Sequence, residues 1–112
     1  MCTQNEALQI LNRVYDLCAR IIPIKDAYLY GSYSRGDYVE GSDVDIFVLS
    51  PLPREQIHAH LWDFAKISSD LSLDYDVTVS LTVRSEEEFN PTVIPYYRNV
   101  LKDGIRYKTA IA

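Results

Sequence analysis

The sequence is short of several residue types, and each shortage excludes a class of structure or site. Its two cysteines, Cys2 and Cys18, show neither the spacing of a metal site nor a disulfide framework. Its two histidines, His58 and His60, are two residues apart on a predicted helix, so they do not share a face as metal ligands would. No apolar run approaches the ~20 residues that span a bilayer, and no signal peptide is visible. We therefore expect a reduced, cytoplasmic protein with no membrane attachment.

Basic residues are also scarce: 11 lysines and arginines face 16 acidic residues, which gives a net charge of −5. A protein that grips long nucleic acid through its phosphates carries a basic stripe, and none is visible here. We do not expect long nucleic acid as the main partner, whereas a small nucleotide that brings its own Mg²⁺ suits an acidic surface. The length of 112 residues, with 47% hydrophobic and 24% charged residues, predicts a single domain over residues 1–112.

The apolar pattern predicts the order helix, strand, loop, strand, helix, strand, helix. Predicted helices cover residues 4–21, 54–71 and 91–102, and predicted strands cover residues 27–30, 42–49 and 74–82. This order indicates an α/β (α+β) fold, with a small mixed β-sheet and helices packed on one face. The face turned to the helices is predicted to carry Val44, Ile46, Val48, Val77 and Val79.

The opposite face of the predicted sheet carries a pair of carboxylates, Asp43 and Asp45. Residues two apart on a strand point the same way, so the two side chains project together. Two anions held together repel each other unless a cation lies between them, and Mg²⁺ is usually bound by one or two carboxylates plus substrate phosphates. The pair therefore predicts a metal-dependent site for a nucleoside triphosphate. The alternative is a strand edge decorated with solvated acids.

A glycine-serine turn, Gly31-Ser32, precedes the carboxylate pair by ten residues. Converging backbone amides at such a turn can bind a phosphate, the Ser32 hydroxyl adds a donor, and Arg35 supplies a guanidinium suited to phosphate oxygens. The alternative is that Gly31 only turns the chain and Arg35 pairs with Asp37 or Glu40.

A third carboxylate would complete a site for two Mg²⁺ ions about 3.5–4 Å apart. Asp74 and Asp76 both fall on the polar face of the third predicted strand. Asp76 is favoured because an apolar run begins directly after it, as one does after Asp45, and Asp74 is the alternative. Phe47 and Leu49 share the carboxylate face, so they are predicted to form a contact patch for a partner unless a helix covers them.

Together these residues resemble a known signature. Gly31-Ser32, ten residues, then Asp43-Val44-Asp45 is similar to the motif of the polymerase-β-like nucleotidyltransferase superfamily. The short length, Arg35-Gly36, Ser42 and the ending at residues 99–107 resemble its minimal, stand-alone branch (minimal nucleotidyltransferases, MNT). The resemblance implies Mg²⁺-dependent transfer of a nucleoside monophosphate to a hydroxyl acceptor. It favours AMP as the transferred group and ATP as its donor. It maps Gly31 and Ser32 onto the phosphate-binding turn, Asp43 and Asp45 onto the metal pair, and Asp76 onto the third acid by strand position.

The same resemblance implies a partner. Members of the minimal branch are often encoded beside a helical protein of the HEPN class, act as its antitoxin, and in some cases adenylylate a tyrosine of the toxin. Two functions follow: an enzyme that modifies such a partner, or a non-catalytic nucleotide-binding antitoxin that neutralises it by occlusion. Because the chain has no room for an acceptor-binding domain, either a partner protein carries the acceptor or a homodimer completes the site.

Overall fold

The computed structural model describes residues 2–88 and 95–107. Its elements are α1 (Gln4–Ala19), β1 (Asp26–Tyr30), α2 (Ser32–Arg35), β2 (Val44–Ser50), α3 (Arg54–His58), α4 (Leu61–Tyr75), β3 (Val79–Ser85), a 3₁₀ turn (Glu86–Glu88), α5 (Pro95–Asp103) and β4 (Ile105–Arg106). Within these ranges, no helix has the length and apolar character needed to cross a membrane.

The four strands form one mixed sheet in the order β3-β2-β1-β4. β2 pairs with β3 in parallel, and β1 pairs antiparallel with both β2 and β4. A parallel pair needs a crossover connection, which α3 and α4 supply between β2 and β3. The predicted mixed sheet is therefore confirmed, and the carboxylate-bearing strand β2 lies inside it rather than at an edge.

The two faces of β2 have the predicted orientation. Val44, Ile46 and Val48 are fully buried in the main core with residues of α1 and α4. Burying a side chain of this size stabilises the fold by about 1.5–3 kcal/mol, so the alternation fixes which face β2 turns to the helices. The carboxylate face is consequently the one turned away from α1 and α4.

α5 packs on that second face. Val100 of α5 forms a small buried cluster with Tyr28, Phe47 and Leu49. Phe47 is 0% exposed and Leu49 3% exposed. The predicted partner patch at Phe47 and Leu49 is therefore wrong, because α5 covers both side chains.

The third strand begins later than predicted. Asp74 and Tyr75 belong to the last turn of α4, and Asp76 ends the helix in the left-handed region with φ 52° and ψ 49°. Aspartate tolerates this conformation better than most residues do. Two α4 serines then hold the start of β3, since the Ser68 hydroxyl donates to the Val79 carbonyl (2.6 Å) and the Ser72 hydroxyl accepts from the Val79 amide (2.9 Å).

The predicted middle helix is divided in two, with α3 ending at His58 and α4 starting at Leu61. The predicted last helix is confirmed from Pro95 onward, while residues 91–94 lie outside the described residues. The Gly104 amide donates to the Val100 carbonyl (2.8 Å) where α5 ends. The chain then returns to the sheet as β4.

Candidate functional site

The site is built around Asp45, the second residue of β2. Its register partners are Tyr30 on β1 and Ser80 on β3. Because paired residues share a face, these three positions lie in one row across the sheet. Asp43 comes just before β2 begins and is exposed, whereas Asp45 is half-buried.

The turn after β1 lies against the Asp45 carboxylate. Gly31 has φ 78°, a conformation that side-chain-bearing residues rarely adopt. A β-carbon at this position would overlap the Oδ2 atom of Asp45. Only glycine permits both this backbone conformation and this approach, so position 31 must be glycine while the Asp45 carboxylate occupies this place.

Hydrogen bonds hold the turn in one conformation. The Gly31 carbonyl accepts from the Ser34 hydroxyl (2.8 Å) and from the Ser34 and Arg35 amides (3.1 and 3.2 Å). Gly36, with φ 85°, ends α2 and donates to the Ser32 carbonyl (2.9 Å). The Ser32 hydroxyl makes no hydrogen bond within residues 2–88 and 95–107, so it is available to a ligand.

Charges around Asp45 act in opposite directions. Burial, and after it the neighbouring Asp43 carboxylate, raise the pKa of Asp45 to about 6 against the opposing charge of the Arg35 guanidinium. Arg35 also forms an exposed ion pair with Asp37, with 3.1 Å between Nε and Oδ2. The alternative interpretation of Arg35 as a partner of Asp37 is thus realised, yet its charge still reaches Asp45.

The donor set fits one Mg²⁺ ion. Two adjacent carboxylates supply the oxygen ligands that Mg²⁺ prefers, and the remaining positions suit water and phosphate oxygens. Burial and the Asp43 charge raise the pKa of Asp45, so a cation bound between the two carboxylates would favour their charged forms. The open surface at Asp43 leaves room for a substrate phosphate to share such an ion.

Asp74 and Asp76 lie at the C-terminal end of α4 and not on the third strand. Asp76 lies at the end of α4 beside a cavity of about 410 Å³. Asp74 pairs with Arg13 of α1, with 3.0 Å between Nη1 and Oδ2. Among the described residues, no group of three His, Cys, Asp or Glu side chains is close enough to hold a metal ion. The predicted strand position of Asp76 is therefore wrong, because the chain is still leaving α4 there, and its role as a third ligand stays a prediction.

Sequence reasoning missed Ser80, the residue that faces Asp45 on β3. The alternation that puts Asp74 and Asp76 on the polar face of the third predicted strand also puts Thr78 and Ser80 there, so the face of Ser80 is predicted correctly. The missing information was the register, which depends on where α4 ends and therefore on the left-handed conformation at Asp76.

Comparison with known proteins agrees with this architecture. The family model described as a nucleotidyltransferase domain matches residues 11–108. A Methanocaldococcus jannaschii protein named as a putative protein adenylyltransferase is 37% identical over 82 residues, which cover 72% of this chain and 75% of that protein.

Two solved structures share the fold. One is described as a toxin-antitoxin with AMP-PNP; it is 25% identical, with a TM-score of 0.58 over 89% of this chain and 74% of the other. The second is a tri-AMPylated Shewanella oneidensis HEPN toxin in complex with MNT antitoxin; it is 21% identical, with a TM-score of 0.52 over 92% of this chain and 73% of the other. The second likeness speaks to the fold alone. The family match and the Methanocaldococcus relative go further, and they show that this chain belongs to the nucleotidyltransferase domain family and is a nucleotidyltransferase.

Proposed function

We propose that this nucleotidyltransferase transfers AMP from ATP, with Mg²⁺, to a tyrosine hydroxyl of a HEPN-type helical partner. The observation that carries the proposal is the Asp45 carboxylate seated against the Gly31 turn and beside Asp43. A glycine turn that can bind phosphate and an acid pair that can bind Mg²⁺ meet at one point of the sheet.

Each residue of the site has a proposed role. Asp43 and Asp45 hold the metal ion, and Gly31, Ser32 and Arg35 bind the triphosphate. When bound, Mg²⁺ offsets the charge of the phosphates and favours attack at the α-phosphorus. The rigid turn keeps Gly31 against Asp45, so the triphosphate is oriented where the acids can share its ion. Arg35 donates to phosphate oxygens from the exposed side.

The proposed reaction is a single displacement. A lone pair of the acceptor oxygen forms a bond to the α-phosphorus, and the bond from that phosphorus to the bridging oxygen of the β-phosphate breaks. Pyrophosphate leaves with the electron pair, and the acceptor O–H loses its proton. The products are an AMP ester of the acceptor and pyrophosphate.

The choice of acceptor and nucleotide is supported by the relatives. The Methanocaldococcus relative is named for protein adenylylation; one of the two solved structures is a toxin-antitoxin with AMP-PNP, and the other holds a tri-AMPylated HEPN toxin. Exposed apolar side chains on α4, Leu61 at 52% and Trp62 at 86%, are available for contact with a helical partner or a second copy of the chain.

One observation favours the alternative, a non-catalytic antitoxin that binds nucleotide and neutralises its partner by occlusion. Within the described residues, the acid pair is not joined by a third carboxylate. A site that binds Mg²⁺ and nucleotide without efficient transfer would have this composition.

The test is incubation with α-³²P-ATP and Mg²⁺, with and without any helical protein that is encoded next to this chain. We expect label on the partner, and loss of that label when the partner tyrosine that receives it is replaced by Phe. Within this chain, Asp76→Asn is the matched control for Asp43→Asn. It neutralises an acid outside the pair, and Asn keeps the left-handed conformation. Binding of ATP and partner without any labelling would favour the occluding antitoxin.

A further inference from the structure

We propose that this site binds one divalent ion together with the triphosphate and lacks the protein ligand for a second. The inference deepens the proposed function and rests on it. It concerns the side of Asp45 that faces β3, where a two-ion site would need another carboxylate.

The row of residues beside the acid pair on β3 carries hydroxyls. Ser80 is the register partner of Asp45, and Thr82 follows it on the same face beside Phe47. Thr78 lies at the entry of the strand, where its carbonyl accepts a hydrogen bond from the Val44 amide (2.8 Å). Neutral hydroxyls are weak ligands for Mg²⁺ beside carboxylates, and they add no negative charge to offset a second ion.

The nearest acids in sequence to this row lie at the end of α4, before β3 begins. Asp74 is paired with Arg13, and Asp76 forms the end of α4. Within residues 2–88 and 95–107, no three His, Cys, Asp or Glu side chains are grouped closely enough to hold a metal ion. Residues 89–94 and 108–112 contain no Asp, Glu, His or Cys. In the part of the chain that the structure describes, no third carboxylate therefore joins the pair to hold a second ion.

A consequence concerns the acceptor proton. The β3 side of the site offers no carboxylate that could receive it, so the proton leaves to Asp43, to water or to a group that the acceptor protein carries. The acceptor protein would then complete the site chemically as well as deliver the hydroxyl.

The experiment counts ions by equilibrium dialysis with Mn²⁺ and AMP-PNP present on both sides of the membrane. Wild-type protein should retain about one Mn²⁺ per bound nucleotide. Ser80→Asp on β3 and Thr78→Asp just before it each place a carboxylate beside β2, and at least one of these variants should retain about two Mn²⁺ per bound nucleotide. Ser80→Asn is the matched control, since it has nearly the same volume without the charge and should stay at about one. Circular dichroism establishes that each variant is folded.

The outcomes separate this inference from the proposed function. Two ions per nucleotide in the wild-type protein would overturn the inference and leave the function standing. No gain in either folded aspartate variant would overturn it as well, because the missing ligand would then lie elsewhere. Failure of wild-type protein to retain Mn²⁺ with nucleotide would overturn the proposed function itself.

Discussion

The proposed site has two flanks, the side of β2 that faces β1 and the side that faces β3. They differ in how many of the groups needed for the reaction they supply. On the β1 flank, Gly31 lies against the Asp45 carboxylate, and three hydrogen bonds to its carbonyl fix the turn. On the β3 flank, Asp45 faces Ser80, and no further carboxylate joins the pair within the described residues. Under the proposed function, backbone geometry would fix nucleotide binding on the β1 flank, whereas activation of the acceptor on the β3 flank would rely on fewer than three acids.

The largest effect on AMP transfer is expected from removing one charge of the acid pair. Asp43→Asn should lower AMP transfer by about a thousandfold, because the proposed ion loses one of two carboxylates. Asp43 is exposed and lies outside β2, so the thermal unfolding temperature should stay within a few degrees. Transfer is measured with labelled ATP and folding by circular dichroism. Asp76→Asn should keep transfer within about twofold of wild type, and an equal loss there would restore Asp76 as a ligand.

A second test is to insert a β-carbon into the turn. Gly31→Ala should weaken nucleotide binding by about ten- to a hundredfold, because the new methyl displaces the Asp45 carboxylate and the left-handed backbone is strained. Gly36→Ala is the matched control: Gly36 has φ 85°, but a β-carbon there meets nothing within 4 Å. It bears only the backbone cost, about 1–2 kcal/mol of stability. Calorimetric titration with Mg²⁺ and AMP-PNP measures both, and equal affinities would mean that the Asp45 contact is irrelevant to binding.

The comparison is sharpened by neutralising Arg35. Arg35→Gln should raise KM for ATP by about three- to tenfold and leave kcat near wild type, since it removes an exposed phosphate contact. Arg13→Gln is matched to it, because both arginine side chains are 46% exposed and each pairs with an aspartate at 3.0–3.1 Å. Steady-state kinetics should show no change for Arg13→Gln. An unchanged KM for Arg35→Gln would reduce Arg35 to a partner of Asp37.

The smallest effect concerns stability without metal. The folded-state pKa of Asp45 is raised from 3.8 to about 6, so the folded protein disfavours the charged form. The contribution of Asp45 to the free energy of unfolding should therefore be greatest below pH 4 and fall as pH rises through 4 to 6. The full shift corresponds to about 3 kcal/mol, and partial solvent exposure reduces the expected cost to ~1 kcal/mol.

Asp45→Asn should remove this pH dependence and raise the free energy of unfolding at pH 7 by ~1 kcal/mol in the presence of EDTA. Urea unfolding at pH 4.5 and 7.5 measures the difference. Asp16→Asn, at an exposed position of α1, should retain the wild-type dependence. A wild-type slope in Asp45→Asn would mean that burial of this carboxylate costs nothing.

The β1 flank could be predicted from the sequence because its parts are local. Gly31-Ser32, the short helical turn after it and the strand carrying Asp45 are joined by a few residues, and side-chain alternation alone gives the face of Asp45. The mixed sheet also follows from the element order. These predictions needed no information about how distant segments meet.

The β3 flank could not be predicted, because its register depends on a helix end. The alternation from Tyr75 to Leu81 suits a strand, yet Tyr75 is still helical and Asp76 turns the chain in the left-handed region. Residues near Asp76 could continue the helix or start the strand, and bonds from Ser68 and Ser72 to Val79 decide between them. The covering of Phe47 by α5 is likewise a tertiary contact that no local pattern contains.

The contact between Gly31 and Asp45 also has a consequence for how the sequence can evolve. Every missense change in a glycine codon adds a side chain, so no neighbouring genotype at position 31 preserves the approach to Asp45. We expect a lineage that keeps the proposed AMP transfer to keep both Gly31 and Asp45. A lineage that loses this activity can lose the glycine by a single substitution. The residue at position 31 in related genomes would thus record which lineages have kept the chemistry and which have kept only the fold.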